Sequence, residues 1–335
     1  MIFNINLTER CNLNCTHCFA LKRNLDMSSE VIDLTLEYLI DLINSSADEE
    51  HSVIFLGGEI GLLNPDIISS FMNILNDSVD TVINYEISTN LVYEITDAHL
   101  NLFKMFDEIT VSYDPNIRFK SKQQKKLWKD NVKLLKDNNI LVNCVISVTK
   151  DVVNINPKTF FESLLNLGCD SYDLMTIAPS DSNILRWKMV KALNEKEDDW
   201  LYEVYLLYKG YQQANDKFII YFFKGIEDLI LHNETYEDFC RDCQTSRLTF
   251  GPDGMISQCP FTQSKPFYDL KSKTYYKENH EHWLNKEKEV NEKCYDCTLF
   301  KYCKGDCCLH LWDETGCACP KKIFNYIIDN KKALQ

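Results

Sequence analysis

Cys11-Asn12-Leu13-Asn14-Cys15-Thr16-His17-Cys18 is the stretch on which the interpretation of the whole sequence depends. Its three cysteines are separated by three residues and then by two. Three thiolates this close in sequence can bind three irons of a cubic iron–sulfur cluster and leave the fourth iron without a protein ligand. An iron with an open position can bind a small molecule, so the motif predicts more than electron transfer.

Two other interpretations of the motif fit less well. A zinc site needs a fourth ligand, and the local choice is His17, which lies directly beside Cys18 and is too cramped to complete a tetrahedron. A disulfide would leave one cysteine unpaired, and nothing else indicates an oxidising compartment. The open cluster is therefore the preferred hypothesis.

The motif resembles the Cys-x3-Cys-x2-Cys signature of the radical S-adenosylmethionine (SAM) superfamily. The resemblance implies that Cys11, Cys15 and Cys18 hold a [4Fe–4S] cluster whose free iron chelates the amino and carboxylate groups of SAM. It also implies that the reduced cluster cleaves SAM to a 5′-deoxyadenosyl radical. His17 occupies the family position that usually lies near the adenine.

Composition predicts a folded protein of a reducing compartment. The 335 residues are 45% hydrophobic and 12% aromatic, which is typical of globular chains. The net charge of −14 argues against nucleic acid as a partner, because phosphate binding needs a basic face. The sequence shows no signal peptide and no run of the ~18 apolar residues that a membrane span needs, so we expect no membrane association. Fifteen cysteines in such a chain indicate metal ligands in the cytoplasm.

The first 180 residues alternate strand-like and helix-like segments. Six predicted strands separated by helices imply parallel βαβ units with right-handed crossovers, and function at the carboxyl ends of the strands. This pattern agrees with the open six-stranded barrel of the radical SAM family. We expect a partial (β/α)6 TIM barrel over 1–185, a helical connector over 186–239 with a solvent-exposed charged run at 194–199, and a small cysteine-rich domain over 240–335.

Polar residues follow several of the predicted strands. Gly57-Gly58-Glu59 comes directly after the second strand, where glycines allow close backbone approach and a carboxylate can pair with an ammonium group. It resembles the Gly-Gly-Glu motif that binds the SAM amino group, with Ile60 where the family often has proline. The resemblance extends to residues at the ends of the third and fourth strands. The further SAM contacts that the resemblance implies are Ser88, Asn90, Ser112 and Asp114; by themselves Asn90 and Asp114 are also ordinary turn residues.

Ten of the fifteen cysteines lie from residue 240 onwards, and their spacing resembles a SPASM domain with two auxiliary [4Fe–4S] clusters. Residues 248–256 read as a hairpin with a Pro-Asp-Gly turn between Cys243 and Cys259. The family scheme implies Cys240, Cys243, Cys259 and Cys307 at the first auxiliary cluster. It implies Cys294, Cys297, Cys303 and Cys319 at the second, with Cys317 as an alternative to Cys319.

The remaining cysteines have simpler interpretations. Cys308 is additional to the SPASM pattern, and Cys144 and Cys169 are predicted to be small buried hydrophobes. The rival for the C-terminal group is a pair of structural zincs. Three iron–sulfur clusters can be assembled by one route, whereas one cluster together with two zinc ions would be a mixed case. Iron is therefore the preferred metal for the C-terminal group.

The resemblance implies a radical SAM/SPASM enzyme that matures a ribosomally made peptide by a thioether or carbon–carbon cross-link or by epimerisation. Pro260 stands where sulfatase maturases have an aspartate after the cysteine, which argues against formylglycine formation. The alternatives are a sulfatase maturase-like activity, oxidation of a small-molecule alcohol, and a non-catalytic iron–sulfur or zinc protein. The expected partners are a precursor peptide, an electron donor such as flavodoxin or ferredoxin, and a separate leader-recognition protein. No catalytic acid, base or hydrogen donor is assigned.

Overall fold

The computed structural model describes residues 1–114, 117–180, 183–236, 239, 241 and 243–334. Within these residues eleven strands form one sheet in the order β11-β10-β9-β8-β1-β2-β3-β4-β5-β6-β7. The strands are β1 (Ile2–Thr8), β2 (Glu50–Gly57), β3 (Val82–Thr89), β4 (Glu108–Ser112), β5 (Leu141–Val148), β6 (Ser171–Thr176), β7 (Ile219–Ile220), β8 (Arg247–Phe250), β9 (Met255–Ser257), β10 (Tyr268–Asp269) and β11 (Thr274–Tyr275).

Helices alternate with the first six strands and then dominate the chain. The Ser28 hydroxyl accepts a hydrogen bond from the amide of Val31 and caps the first helix, which begins at Ser29. The helices are α1 (Ser29–Ser45), α2 (Pro65–Ser78), α3 (Asp97–Phe103), α4 (Lys122–Asp137), α5 (Lys150–Val153), α6 (Pro157–Leu165), α7 (Ile184–Val190), α8 (Asn194–Gln212), α9 (Tyr221–Leu231), α10 (Cys243–Ser246), α11 (Lys277–Lys288), α12 (Phe300–Cys303), α13 (Lys321–Asp329) and α14 (Lys331–Leu334).

Strands β1 to β6 pair in chain order and are all parallel, which confirms the predicted α/β architecture. Strand β7 extends one edge in parallel. The opposite edge continues from β1 into β8, again in parallel, and then into the antiparallel strands β9 to β11. The sheet order begins at β11 and ends at β7, so the barrel is open.

The two faces of the barrel sheet differ in polarity. The hydroxyls of Tyr85 and Tyr172 donate to helix carbonyls of α2 and α6, so these side chains face the helices. Successive strand residues point to opposite faces, and their neighbours therefore line the barrel interior. The interior face carries mainly polar side chains, among them Asn4, Asn6, Ser88, Thr110, Ser112, Asn143 and Asp173. A polar ligand can therefore be accommodated inside the barrel.

The C-terminal hairpin is part of the barrel sheet. Strands β8 and β9 pair around Gly251–Gly254, where the predicted turn has its glycine at φ +87°. Strand β8 also pairs with β1 from Ile2↔Arg247 to Ile5↔Phe250. The predicted boundary at residue 240 stays a prediction, and the sheet crosses from one region into the other.

The charged run at the start of α8 is solvent-exposed only in part. Glu195 and Lys196 are exposed, as predicted, whereas Asn194 and Glu197 are buried, so the expectation was wrong for these two residues. Glu197 is 2% exposed and forms an ion pair with Lys191. Asn194 is also buried, and its amide donates to the carbonyls of Leu311 (3.1 Å) and Gly316 (2.9 Å). The physical reason is that α8 packs between α6 and α13, so these polar groups bind protein rather than water.

None of the helices among the described residues combines the length and apolarity needed to cross a membrane.

Candidate active site

The loop that carries the three N-terminal cysteines is closed at its base by hydrogen bonds. The amide of Glu9 donates to the carbonyl of Leu25, and the amide of Met27 donates to the carbonyl of Leu7, both at 2.8 Å. The Thr8 hydroxyl donates to the Asp26 carboxylate at 2.6 Å. Since β1 ends here, the loop is fixed at the carboxyl edge of the parallel strands, where barrels of this kind place their sites.

Gly57 and Gly58 lie against this loop, which explains why the sequence has two glycines here. The amide of Gly58 donates to the carbonyl of Thr8 at 2.6 Å, and the amide of Glu59 donates to the carbonyl of Arg10 at 2.8 Å. A Cβ on Gly58 would lie 2.2 Å from the Arg10 carbonyl oxygen. The close approach of backbone to backbone therefore positions the cysteine loop on β2.

The Glu59 carboxylate is buried and already satisfied. It is 1% exposed and accepts hydrogen bonds from the amide of Gly61 (2.8 Å), the hydroxyl of Thr89 (2.6 Å) and the amide of Asn90 (2.6 Å). Burial raises the pKa of this carboxyl, against the effect of these donors. Glu59 thus joins the ends of β2 and β3, and the backbone of Gly57 and Gly58 beside it is half-buried.

The three cysteines differ in exposure. Cys11 is exposed, Cys15 is buried and Cys18 is intermediate. The Cys11 sulfur accepts from the amide of Leu13 (3.4 Å) and from the Asn90 side chain (3.7 Å). Burial raises the pKa of the Cys11 and Cys15 thiols, and the nearby Arg118 guanidinium opposes that rise. Metal binding requires the thiolate, so this cation favours the ligand form.

A buried ion-pair cluster lies beside the cysteine loop. Asp114 is fully buried and binds Arg118 at 2.6 Å, His17 Nε2 at 3.3 Å and the amide of Ser147 at 2.8 Å. Burial by itself would raise the pKa of the Asp114 carboxyl. The charge of Arg118 and the hydrogen bond from His17 outweigh burial and hold this pKa well below its usual range. His17 Nδ1 is buried and has no hydrogen-bond partner among the described residues. An acceptor or donor from a bound ligand fits that atom.

Arg118 was not selected from the sequence. It lies four residues after Asp114, beyond the end of β4, in a segment otherwise rich in lysine. A single arginine after a strand-end aspartate is a weak signal by itself. The structure identifies Arg118 as part of the site, because the guanidinium charge acts on both Asp114 and Cys15.

The other predicted SAM contacts lie near this loop in two different settings. Ser88 and Ser112 are half-buried on the interior face of β3 and β4. Asn90 is 4% exposed, and its amide also donates to the Asn12 side chain at 2.8 Å. The two serines are therefore open to a ligand, whereas Asn90 and Asp114 support the loop that would hold it.

The first C-terminal cysteine group surrounds the base of the hairpin. Cys243 begins α10, Cys259 follows β9, and Cys307 follows α12. Burial and the neighbouring Cys259 and Cys307 raise the pKa of Cys243 to about 12. Burial and Cys307 raise the pKa of Cys259 to about 11. These three thiols lie close enough to act on one another's pKa, and their role as ligands of one cluster stays a prediction. Cys240 lies outside the described residues.

The second C-terminal group lines one cavity of about 150 Å³. All five cysteines considered for this site contribute to its wall, namely Cys294, Cys297, Cys303, Cys317 and Cys319. A hydrogen bond from Cys319 lowers the pKa of Cys303 to about 7. Cys317 instead bonds to the Lys321 side chain. The choice between Cys317 and Cys319 stays a prediction, because both line the cavity.

Each of the three remaining cysteines hydrogen-bonds to another cysteine. Cys308 hydrogen-bonds to Cys307. Cys144 on β5 is fully buried and hydrogen-bonds to the half-buried Cys169. The described residues contain no set of three or more histidine, cysteine or acidic side chains arranged around a single metal ion. Ligands of a cubic cluster lie further apart than those of one ion, because each binds a different iron.

The loop after Cys18 links the barrel site to the C-terminal region. Phe19 packs on Phe261, with ring centroids 4.3 Å apart. Arg23 bridges the buried Glu9 (2.6 Å) and Asp253 in the hairpin turn (2.5 Å). The N-terminal cysteine loop and the segment after Cys259 are therefore in direct contact.

Comparison with solved structures gives the same fold along the whole chain. Native anSMEcpe with bound AdoMet superposes with a TM-score of 0.79 at 18% identity, covering 99% of this chain and 98% of that one. SuiB of Streptococcus suis, bound to the precursor peptide SuiA, gives a TM-score of 0.59 at 15% identity, covering 91% and 71%. At this level of identity the likeness establishes the fold.

Sequence comparison finds more distant or shorter likenesses. A probable GTP 3′,8-cyclase of Methanococcus aeolicus is 24% identical over 280 residues, covering 76% of this chain and 83% of that protein. An uncharacterised protein of Methanocaldococcus jannaschii is 36% identical over 88 residues, which span 26% of this chain and 29% of that protein. No protein-family model matches the chain.

The chain therefore has the same fold as anSMEcpe and SuiB. Within that fold the motif of Cys11, Cys15 and Cys18 follows β1, at the carboxyl edge of the parallel strands. The predicted fold class is confirmed.

Proposed function

We propose that the chain is a radical SAM enzyme that modifies a residue of a ribosomally made peptide. The observation that carries the proposal is the meeting of three cysteines, the mostly buried Arg118 guanidinium and a histidine nitrogen without a partner among the described residues, at the carboxyl edge of an open polar barrel. Such an arrangement suits a cluster and a zwitterionic ligand bound to it.

Within this proposal, the residues have separable roles. Cys11, Cys15 and Cys18 hold the cluster, and the backbone of Gly57 and Gly58 together with Ser88 and Ser112 contact SAM. When bound, the cluster and SAM supply a 5′-deoxyadenosyl radical that can remove a hydrogen from an unactivated carbon. A second set of predicted SAM residues keeps this wall in position through the contacts described above. That set comprises Glu59, Asn90 and Asp114, while His17 contacts SAM through its Nδ1, which has no partner among the described residues.

The two C-terminal cysteine groups are proposed to hold auxiliary [4Fe–4S] clusters. Cys243 and Cys259 are half-buried beside Cys307, and the cavity gives the second group room for a cofactor. Auxiliary clusters can accept an electron when a substrate is oxidised. An electron donor such as flavodoxin or ferredoxin is needed to reduce the N-terminal cluster.

A peptide substrate is supported by what the similar structures contain. SuiB is bound to its precursor peptide SuiA, and anSMEcpe is bound to the Cp18Cys peptide. The interior of the barrel is open at one side and polar, which suits an extended backbone with its hydrogen-bonding groups. Pro260 after Cys259 keeps formylglycine formation the less favoured outcome.

The first experiment measures SAM cleavage. The anaerobically reconstituted protein is incubated with SAM and dithionite, and 5′-deoxyadenosine is quantified by chromatography. We expect 5′-deoxyadenosine from the wild type and none from Cys15→Ala, whereas Cys144→Ala, which changes a buried cysteine outside all three groups, should remain active. Absence of product from the wild type would favour a non-catalytic metal protein.

The second experiment identifies the reaction on a short peptide encoded beside the gene. The peptide is incubated with enzyme, SAM and reductant in deuterated water and weighed by mass spectrometry. Loss of two hydrogens indicates an oxidative cross-link with the auxiliary clusters as electron acceptors. Gain of one solvent deuterium without oxidation indicates epimerisation. An unchanged peptide mass, with SAM cleavage intact, would contradict this peptide as substrate.

A further inference from the structure

Helix α7 presents an exposed apolar pair next to the cysteine loop. Leu185 is 76% exposed and Met189 is 72% exposed, among the largest exposures of any hydrophobic side chain in the described residues. They are four residues apart and therefore lie on one face of the helix, one turn above the other. Two large apolar side chains in water on the same face indicate a surface that a partner covers.

This apolar pair lies between two cations. At 100° per residue, Arg186 falls on one side of the Leu185–Met189 line and Lys188 on the other, and both are exposed. No acidic residue occurs between 183 and 193, in a chain with a net charge of −14. A local basic and apolar face on an acidic protein favours a partner that is apolar and acidic.

The opposite face of α7 is fixed to the proposed active site. Asn183, which precedes the helix and is 4% exposed, donates its side-chain amide to the carbonyl of Cys18 at 3.2 Å. The Trp187 indole donates to the carbonyl of Ile177 at 3.0 Å, just beyond the end of β6. The helix therefore lies at the mouth of the barrel, beside the loop that would hold the cluster.

From these observations we propose that α7 is the docking surface for an acidic, amphipathic segment of the peptide substrate. Leu185 and Met189 would receive apolar residues spaced three or four apart, and Arg186 and Lys188 would pair with flanking aspartates or glutamates. This inference rests on the proposed peptide substrate and adds to it where the peptide is held and by what chemistry. A segment docked here lies next to the barrel mouth, so the rest of the peptide can enter the interior.

A membrane surface and a second copy of the chain are less suitable occupants. Binding to anionic lipid is opposed by the charge of the whole protein, and α7 has only seven residues. A second copy would bring the same two cations of α7 onto each other across a symmetric interface.

The test is selection from a displayed library of short random peptides against the reconstituted protein. We expect enriched peptides with apolar residues three or four apart and acidic residues between them. Their binding should weaken about tenfold or more in Leu185→Asp/Met189→Asp and, independently, in Arg186→Glu/Lys188→Glu. The matched control is Val82→Asp, because Val82 is 61% exposed at the opposite end of the barrel.

Several results would overturn the docking surface. One is enrichment of peptides that bind both double variants as tightly as the wild type, and another is no enrichment at all. Selective binding to phosphatidylglycerol vesicles that is lost in Leu185→Asp/Met189→Asp would assign the face to a membrane. A dimer in sedimentation velocity that the same variant dissociates would assign it to a second copy.

Failure of this inference is distinguishable from failure of the proposed function. SAM cleavage without peptide depends on the cysteine loop and not on α7, so both double variants should form 5′-deoxyadenosine at the wild-type rate. If both double variants cleave SAM at the wild-type rate and also bind the peptides as tightly as the wild type, only the docking at α7 is contradicted and the proposed function stands. No cleavage by the wild type would contradict the proposed function instead.

Discussion

Single residues at the base of the cysteine loop determine whether the site can form. We expect Gly58→Ala to push the loop away from β2, because its Cβ would lie 2.2 Å from the Arg10 carbonyl oxygen and neither backbone can move freely. The expected cost is about 1–3 kcal/mol of stability, with loss of bound iron. Chemical unfolding and an iron assay measure the two effects.

Gly210 provides the control for this substitution. It lies inside α8, and a Cβ there would meet no atom within 4 Å. Gly210→Ala should stabilise the protein by about 0.5–1 kcal/mol through helix propensity and leave the iron content unchanged. If Gly58→Ala behaved like Gly210→Ala, the close approach of Gly58 to the loop would not be what positions the cysteines.

The buried pair of Asp114 and Arg118 makes a second prediction at the residue scale. Arg118→Met would leave the fully buried Asp114 carboxylate with His17 and one amide, at an expected cost of about 3–5 kcal/mol. Asp114→Asn combined with Arg118→Met should cost less than the sum of the single changes, because the orphaned charge is removed. Additive costs in urea unfolding would show that the two groups are not coupled.

The pH dependence of this pair follows from the sign of the shift. The folded pKa of Asp114 is depressed, so its contribution to stability is present above the ordinary value near 4 and disappears as the pH falls through the folded pKa. Because the Arg118 charge lowers the pKa of Asp114, the variant Arg118→Met should have a higher Asp114 pKa in the folded state. The variant should therefore lose its remaining contribution at a higher pH than the wild type.

At the scale of elements, α8 and α13 are joined by a titrating contact. The Asp198 carboxylate accepts the amide of Lys322, in the first turn of α13, at 3.1 Å. Burial raises the pKa of Asp198 to about 6. Between about pH 4 and 6 the unfolded chain therefore loses this proton before the folded protein does, and stability falls as the pH rises.

Asp198→Asn keeps the acceptor oxygen and removes the titration. We expect the variant to gain stability relative to the wild type as the pH rises from 4 to 6, by an amount on the order of 1 kcal/mol for a partly exposed group. Unfolding by urea at several pH values gives the difference between the two proteins. A constant difference across this range would contradict a raised pKa at Asp198.

The sequence predicted those elements whose signals are local. The strand Val53–Leu56 before two glycines and the Pro-Asp-Gly hairpin were recoverable, because apolar runs and turn residues act on their immediate neighbours. The parallel pairing of β8 with β1 was not, because it joins residues about 245 positions apart with no local mark. Glu197 and Arg118 were missed for another reason: their ion-pair partners, Lys191 and Asp114, are close in sequence, but the burial that gives these pairs their weight has no local mark.

At the scale of the molecule, the continuous sheet explains how three cysteine groups share one framework. The N-terminal group follows β1, and the first C-terminal group brackets the β8–β9 hairpin that pairs with β1. Arg23 and the contact of Phe19 with Phe261 tie these two groups together. The second C-terminal group has its own cavity wall and does not depend on that sheet pairing.

The last prediction uses that independence. If each group holds a [4Fe–4S] cluster, the wild type should contain about 12 irons per chain, and Cys294→Ala/Cys297→Ala about 8, since these two side chains line the second cavity. Cys144→Ala should leave the iron content unchanged. Cys317→Ala and Cys319→Ala, compared by iron assay and Mössbauer spectroscopy, then identify the fourth ligand: the true ligand is the one whose loss removes or alters this cluster. Bound zinc in the wild type, or about 12 irons in Cys294→Ala/Cys297→Ala, would contradict a cluster in this cavity.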